Sequence, residues 1–208
     1  MNYRVWMLLL LGLPGWASAN SCSLLIVGDS LSSGYGLAAG TSWVAKLDAR
    51  LQKTAPDWRA VNASVSGDTT QNGVQRLQPA LDRQHPQGVL IELGGNDALR
   101  GIPPAEIKRN LQTMIRQAKA AGAWVALLDV PVLPNYGKPY ADAVTKVYGQ
   151  LAREEKTIRV PCFVCGVAVT PGLMQADGIH PNEQAQARML DAVWPHLQPQ
   201  LRCPGKQP

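Results

Sequence analysis

Four short polar motifs hold the residue types that nucleophilic catalysis needs: Gly28-Asp29-Ser30, Ser66-Gly67-Asp68, Gly95-Asn96-Asp97 and Asp177-Gly178-Ile179-His180. A serine hydroxyl attacks an acyl carbonyl only when a neighbouring base takes its proton, and that base is usually histidine. The chain has three histidines. His85 lies between Gln84 and Pro86 in the connection after a helix, a solvated position. His196 lies near the end of the last helix, where the helix dipole explains it. His180 stands in the loop before that helix, with Asp177 three residues earlier and Gly178 freeing the turn between them. That spacing lets the carboxylate bond one ring nitrogen while the other faces Ser30. A tetrahedral intermediate also needs donors aimed at its oxyanion. The backbone N–H of Gly67, the side-chain amide of Asn96 and the N–H of Ser30 itself can supply them.

Each motif alone has an ordinary reading. Asp177-Gly178 is an Asx-type turn, Gly67 a tight turn, and Asn96 a turn residue. Jointly they supply nucleophile, base, carboxylate partner and oxyanion donors, the set of roles of a Ser-His-Asp hydrolase. Asp29 and Asp97 are left as braces of their loops rather than catalytic acids.

The elements between the motifs must bring them to one edge. Residues 24–27 are continuously apolar, as in a strand buried on both faces. Trp43, Leu47 and Leu51 recur at helical spacing, and Val61 marks a second, weaker strand. Val74, Leu77 and Leu81 mark a helix, and residues 89–91 a third strand. Pro103 or Pro104 opens the next helix, with Ile107, Leu111, Ile115 and Ala118 on its buried face and Gly122 at its end. A strand at 124–128, a helix through Val144, Tyr148 and Leu151, a strand at 158–160 and a helix over 183–194 complete the pattern. Strands alternating with helices predict a three-layer α/β/α sandwich around a five-stranded parallel sheet of flavodoxin-like type. Ligands of such a sheet gather at the carboxyl ends of its strands. Ser30, Gly67 and Asn96 each follow one of the first three.

Taken in order, Gly28-Asp29-Ser30-Leu31-Ser32, Gly67, Gly95-Asn96-Asp97 and Asp177-x-x-His180 resemble the four blocks of the SGNH (GDSL) hydrolases. The longer stretches "LIVGDSLSSGYG", "SVSGDTTQNG", "IELGGNDALRG", "LPNYGKPYADA" and "LMQADGIHPNEQAQ" are similar to the bacterial periplasmic thioesterase I, lysophospholipase L1 and arylesterase group. The resemblance implies Ser30 as nucleophile, Asp177 and His180 as its partners, and Gly67 and Asn96 as oxyanion donors. It implies short- to medium-chain acyl esters, acyl thioesters or lysophospholipids as small-molecule substrates, without cofactor or metal. Leu31, Leu133, Pro134, Tyr136, Met174 and Ile179 are the candidates for an apolar substrate slot near the motifs. No Gly-x-Ser-x-Gly surrounds Ser30, because Ser32 takes the place of the second glycine, which argues against the α/β-hydrolase nucleophile elbow. The alternatives are a carbohydrate O-acetylesterase and a non-catalytic exported acyl- or lipid-binding protein. Sugar binding would be expected to bring aromatic platforms, and the chain has six Trp, five Tyr and one Phe.

Arg4, the apolar residues 5–13, Pro14-Gly15 and then Ala17-Ser18-Ala19 read as an export signal over 1–19, leaving one domain over 20–208. The apolar run is too short to span a bilayer, which takes about 20 residues. A monomeric protein without a stable membrane anchor is expected, in the periplasm or secreted. The net charge of +5 is scattered and forms no basic run, so no nucleic-acid surface is indicated. Cys22, Cys162, Cys165 and Cys203 permit two disulfides in three pairings. Cys22 and Cys203 flank the outermost elements and can meet if both ends share a side. Cys162-x-x-Cys165 can close locally, and redox and metal roles stay open for it, although its surroundings read as strand and loop.

Overall fold

A computed structural model describes residues 22–132 and 136–203. The expected signal over 1–19, and with it Leu133 and Pro134, lie outside them. Strand β1 (Cys22–Gly28) pairs in parallel with β2 (Trp58–Asn62) on one side and β3 (Gly88–Glu92) on the other. Strands β4 (Trp124–Leu128) and β5 (Ile158–Val160) extend the sheet in the order β2-β1-β3-β4-β5. All pairings are parallel. The continuous apolar run in β1 follows from this position, because both its faces are covered. Leu24 and Ile26 join a core with α2 (Trp43–Thr54) and α8 (Gln186–Leu197). Leu25 and Val27 join the opposite core, with α3 (Thr70–Gln84), α5 (Pro104–Ala120) and α6 (Lys138–Glu154). The three-layer α/β/α sandwich with a five-stranded parallel sheet is thus observed.

Local chemistry sets the helix starts. Ser42 accepts from the N–H of Ala45 to cap α2, and Thr69 and Asn72 form a reciprocal capping box at α3. Pro104 is the first residue of α5, where its missing N–H costs nothing. The last helix differs from the expected single run over 183–194. Asn182 Oδ1 accepts from the N–H groups of Gln184 and Ala185, tightening the first turn to a 3-10 turn at Glu183–Ala185. The α-helix proper follows and runs on to Leu197.

Between β1 and β3 the strand order reverses, since β2 lies to one side and β3 to the other. A crevice opens outside the carboxyl ends at such a switch point. Two short helices sit there: α1 (Ser30–Ser33) directly after β1, and α4 (Gly95–Leu99) after β3. Neither was legible from periodicity, being a turn or so of helix each.

The cysteines form two disulfides, Cys22–Cys203 and Cys162–Cys165. The first joins residues 181 apart, and closing so long a loop stabilises by about 5 kcal/mol in the chain-entropy account. Around the second, the expected strand and loop is corrected in part. β5 ends at Val160, and Cys165 opens a four-residue helix, α7 (Cys165–Ala168).

Candidate active site

Ser30 is the first residue of α1, lifted off the end of β1 by Asp29, whose side chain caps the helix by accepting from the N–H of Leu31. The loop before the last helix reaches back over it. A bridge between Met174 and Pro181 closes that loop, and Gln175 N–H donates to the His180 carbonyl at 2.8 Å. Gly178, at φ +69, makes the turn within it that side chains rarely adopt. Gln175 Nε2 also donates to the Tyr35 carbonyl at 2.9 Å, tying the histidine loop to the serine loop. Buried Gln186 anchors the same loop from beneath. It donates to the Asn182 carbonyl at 3.0 Å and accepts from Trp43 N–H at 2.9 Å.

The outcome is a chain of two bonds. His180 Nε2 lies 2.9 Å from Ser30 Oγ, and His180 Nδ1 lies 2.7 Å from Asp177 Oδ2. A carboxylate only accepts, so Nδ1 carries the proton and Nε2 is left free to receive one from the serine. The other oxygen of Asp177 accepts from the N–H groups of Ile179 and His180, at 2.9 and 3.0 Å. The Asx turn and the carboxylate–imidazole pair are therefore one structure. Those donors, with the imidazole, hold the Asp177 carboxyl down at about 2. Tyr35 leans over the His180 ring at 4.7 Å between centroids.

Asn96 lines the same cavity, and the Gly67 loop is tied beside it. Gly67 has φ +83, and a Cβ there would meet nothing within 4 Å, so glycine serves the backbone conformation and not a close approach. Its loop is tied down around it. Ser66 Oγ shares a hydrogen bond with Ser33 Oγ at 2.8 Å, and the Gly67 carbonyl accepts from Arg100. Asn96 Nδ2 donates to Asp29 Oδ2 at 3.1 Å and to the Asp68 carbonyl at 3.0 Å, linking all three motifs. Asp97 accepts from the N–H and hydroxyl of Thr70, a loop brace as read from the sequence.

A cavity of about 830 Å³, its open mouth included, begins at Ser30 and His180. Of the expected slot residues, Leu31, Met174 and Ile179 line it; Leu99, Pro131, Val164 and Ala168 complete its apolar wall. Tyr136 is not among these lining residues; it is half exposed, its ring 5.5 Å from that of Tyr140 and lying against Gly101. Leu99, Val164 and Ala168 follow β3 and β5, so the rule that places ligands at the carboxyl ends of strands already pointed to their segments.

The sequence profile of the GDSL-like lipase/acylhydrolase family matches residues 26–188, a span that carries all four motifs. The chain belongs to that family. Esterase TesA of Pseudomonas aeruginosa PAO1 is 50% identical over 179 residues, 86% of this chain and 89% of that protein. Thioesterase 1/protease 1/lysophospholipase L1 of Escherichia coli K12 is 43% identical over 192 residues, 92% of this chain and 90% of that protein. The crystal structure of the psychrotrophic esterase EstA from Pseudoalteromonas sp., inhibited by monoethylphosphonate, matches with a TM-score of 0.83 at 35% identity, over 86% of this chain and 98% of that one. This GDSL-family protein is an enzyme that hydrolyses carboxylic esters.

Sequence reasoning missed one residue beneath the site of this GDSL-family hydrolase. Glu92 ends the apolar strand β3 and is fully buried. Its Oε2 accepts from Ser32 Oγ at 2.7 Å and from Asp29 N–H at 3.3 Å. A Cβ at Gly28 would stand 2.6 Å from that oxygen, so the glycine of the nucleophile motif makes room for the carboxyl below it. Burial, and then the nearby Asp29, push the Glu92 carboxyl well up. Burial likewise raises Asp29 to about 6. The signal was a lone carboxylate closing the run Val89-Leu90-Ile91, where a paired or protonated acid is the only inexpensive occupant.

Proposed function

We propose that the enzyme hydrolyses short- to medium-chain acyl esters, acyl thioesters or lysophospholipids through an acyl-Ser30 intermediate. One observation carries this reading: the unbroken chain from Asp177 through His180 to Ser30 at the mouth of an apolar cavity. His180 Nε2 takes the hydroxyl proton as Ser30 Oγ attacks the acyl carbonyl, and Asp177 steadies the imidazolium. The Gly67 and Ser30 N–H groups and the Asn96 amide receive the oxyanion, Asn96 exchanging its bond to the Asp68 carbonyl for one to the substrate. His180 then returns the proton to the leaving alcohol or thiol. Water, activated by the same imidazole, cleaves the acyl-enzyme. The acyl chain lies along Leu31, Leu99, Met174 and Ile179.

Among the described residues, no Trp, Tyr or Phe side chain lines the cavity, which favours an acyl chain over a sugar ring. The two disulfides support export to an oxidising compartment, the periplasm foremost. Among the described residues, no helix is long and apolar enough to cross a membrane.

The test is hydrolysis of p-nitrophenyl butanoate by the parent and by Ser30→Ala, followed by an acyl-thioester under the same conditions. Parent activity with a near-complete loss in the variant supports the reading. Equal activity in both removes Ser30 from the mechanism.

A further inference from the structure

The reaction leaves Cys162-x-x-Cys165 without a task, yet its disulfide borders the acyl cavity. The bond spans four residues with Cα atoms 5.5 Å apart and encloses Phe163 and Val164. Both residues are 2% exposed. Val164 lines the cavity, and its carbonyl accepts from the N–H of Ala168 at 2.8 Å, so it also sets the place of a second lining residue. Phe163 points the other way. Its ring meets Trp43 edge-on, centroids 5.5 Å apart, and Trp43 Nε1 donates to the carbonyl of Leu31, which follows Ser30 and lines the same cavity.

The wall formed by α7 is thin. Its inner side faces the cavity, while Cys165 and Gly166 are exposed and the next residue after the helix, Val169, is 82% exposed. Among the described residues, no layer covers that outer side. Four helical residues do not hold a helix in water, where about 12–15 are needed even for good formers. The backbone closes α7 itself, Val167 and Ala168 N–H donating to the Val164 carbonyl at 3.0 and 2.8 Å, but the turn that leads into it is looser, Cys165 N–H reaching the Cys162 carbonyl only at 3.4 Å. Phe163, Val164 and Val167 pin the inner border in the core, and the disulfide is the covalent restraint on the outer one.

We propose that the Cys162–Cys165 disulfide is a specificity determinant: it fixes Val164 and Ala168 as a rigid wall that limits the length and breadth of acyl groups the cavity accepts. This rests on the acyl-cavity reading above. With the bond open, α7 yields toward solvent and longer chains gain relative to short ones.

The experiment compares kcat/KM for p-nitrophenyl butanoate and p-nitrophenyl octanoate in the parent and in Cys162→Ser/Cys165→Ser. The octanoate-to-butanoate ratio should rise at least threefold, through a lower KM for the longer ester. A ratio that is unchanged or falls overturns the proposal. Cys22→Ser/Cys203→Ser is the control, because Cys22 begins β1 at the end of the sheet opposite Ser30. It should lower Tm and leave the ratio alone; an equal rise there means general loosening and also overturns the proposal. Should the first variant fail to fold, the folded parent is assayed in graded reductant, mass spectrometry identifying when the exposed Cys165 bond alone is open. A parent that cleaves neither ester strikes the esterase reading itself, whereas activity with an unmoved ratio strikes only the wall.

Discussion

Ser30 stands between two sets of carboxyl groups whose surroundings push them in opposite directions. Above it, Asp177 is partly exposed at the rim and collects three donors, His180 Nδ1 and the N–H groups of Ile179 and His180. Hydrogen bonding keeps it ionised, with its carboxyl at about 2. Below it, Asp29 and Glu92 are buried, and burial raises both. One region keeps a charge where a positive imidazolium must form. The other holds a turn in place with oxygens that accept hydrogen bonds, for which a full charge is a cost in an apolar core. Carboxyl groups on either side of one serine thus do unlike work, and the difference lies in the number of donors and the access of water.

The strongest way to break this contrast is to replace each acid by its amide. Asp177→Asn keeps the shape but removes the acceptor that fixes the imidazole tautomer, so kcat should fall by about 10⁴. Glu92→Gln retains a neutral group with an acceptor oxygen for Ser32 Oγ and Asp29 N–H, and kcat/KM should stay within about threefold of the parent. The two outcomes are read from p-nitrophenyl butanoate hydrolysis under identical conditions. If Glu92→Gln loses as much as Asp177→Asn, the lower carboxyl acts through its charge and the contrast collapses.

Removing the lower acceptor altogether sharpens the point. Glu92→Ala strands the Ser32 hydroxyl and the Asp29 N–H in the core, at about 1–3 kcal/mol each, and leaves a cavity under the nucleophile turn. Tm should drop by several degrees and kcat by about tenfold, as α1 loses its footing and Ser30 its alignment. Restoration of both by Glu92→Gln identifies a positioning role. A large stability loss with unchanged kcat would confine Glu92 to structure alone.

These two regions were unequally legible in the sequence. The upper one is local: Asp177 and His180 sit three residues apart, and a glycine between them announces the turn. The fold was legible for a similar reason, since buried parallel strands such as 24–27 and 89–91 are continuous apolar runs and helices such as 104–120 carry a clear apolar face. The lower region is made by register. Gly28 on β1 lies beside Glu92 on β3, 64 positions later, and nothing local in either strand specifies that pairing. The setting of Tyr136 was illegible for a related reason, because its ring meets a partner ring, Tyr140, on the following helix. Short helices α1, α4 and α7 escaped because a turn of helix shows no period.

The smallest effect is the dependence of stability on pH, where the two regions should pull in opposite directions. Between about pH 6 and pH 4 native Asp29 holds a proton that the unfolded chain, with its carboxyl at the ordinary 3.8, has released. The native state then binds more protons, so this group makes the protein more stable as pH falls through that window. Asp177 behaves in reverse. Its contribution is fully present above about pH 4 and is lost as pH falls toward 2, because the unfolded carboxyl takes up a proton before the native one does. Tm measured from pH 2 to 7 for the parent, Asp29→Asn and Asp177→Asn separates them. The parent should gain on Asp29→Asn as pH drops from 6 to 4, and its lead over Asp177→Asn should shrink below pH 4. Two differences that change in the same direction would mean that the carboxyls above and below Ser30 share one environment, and the division of labour between them would fall.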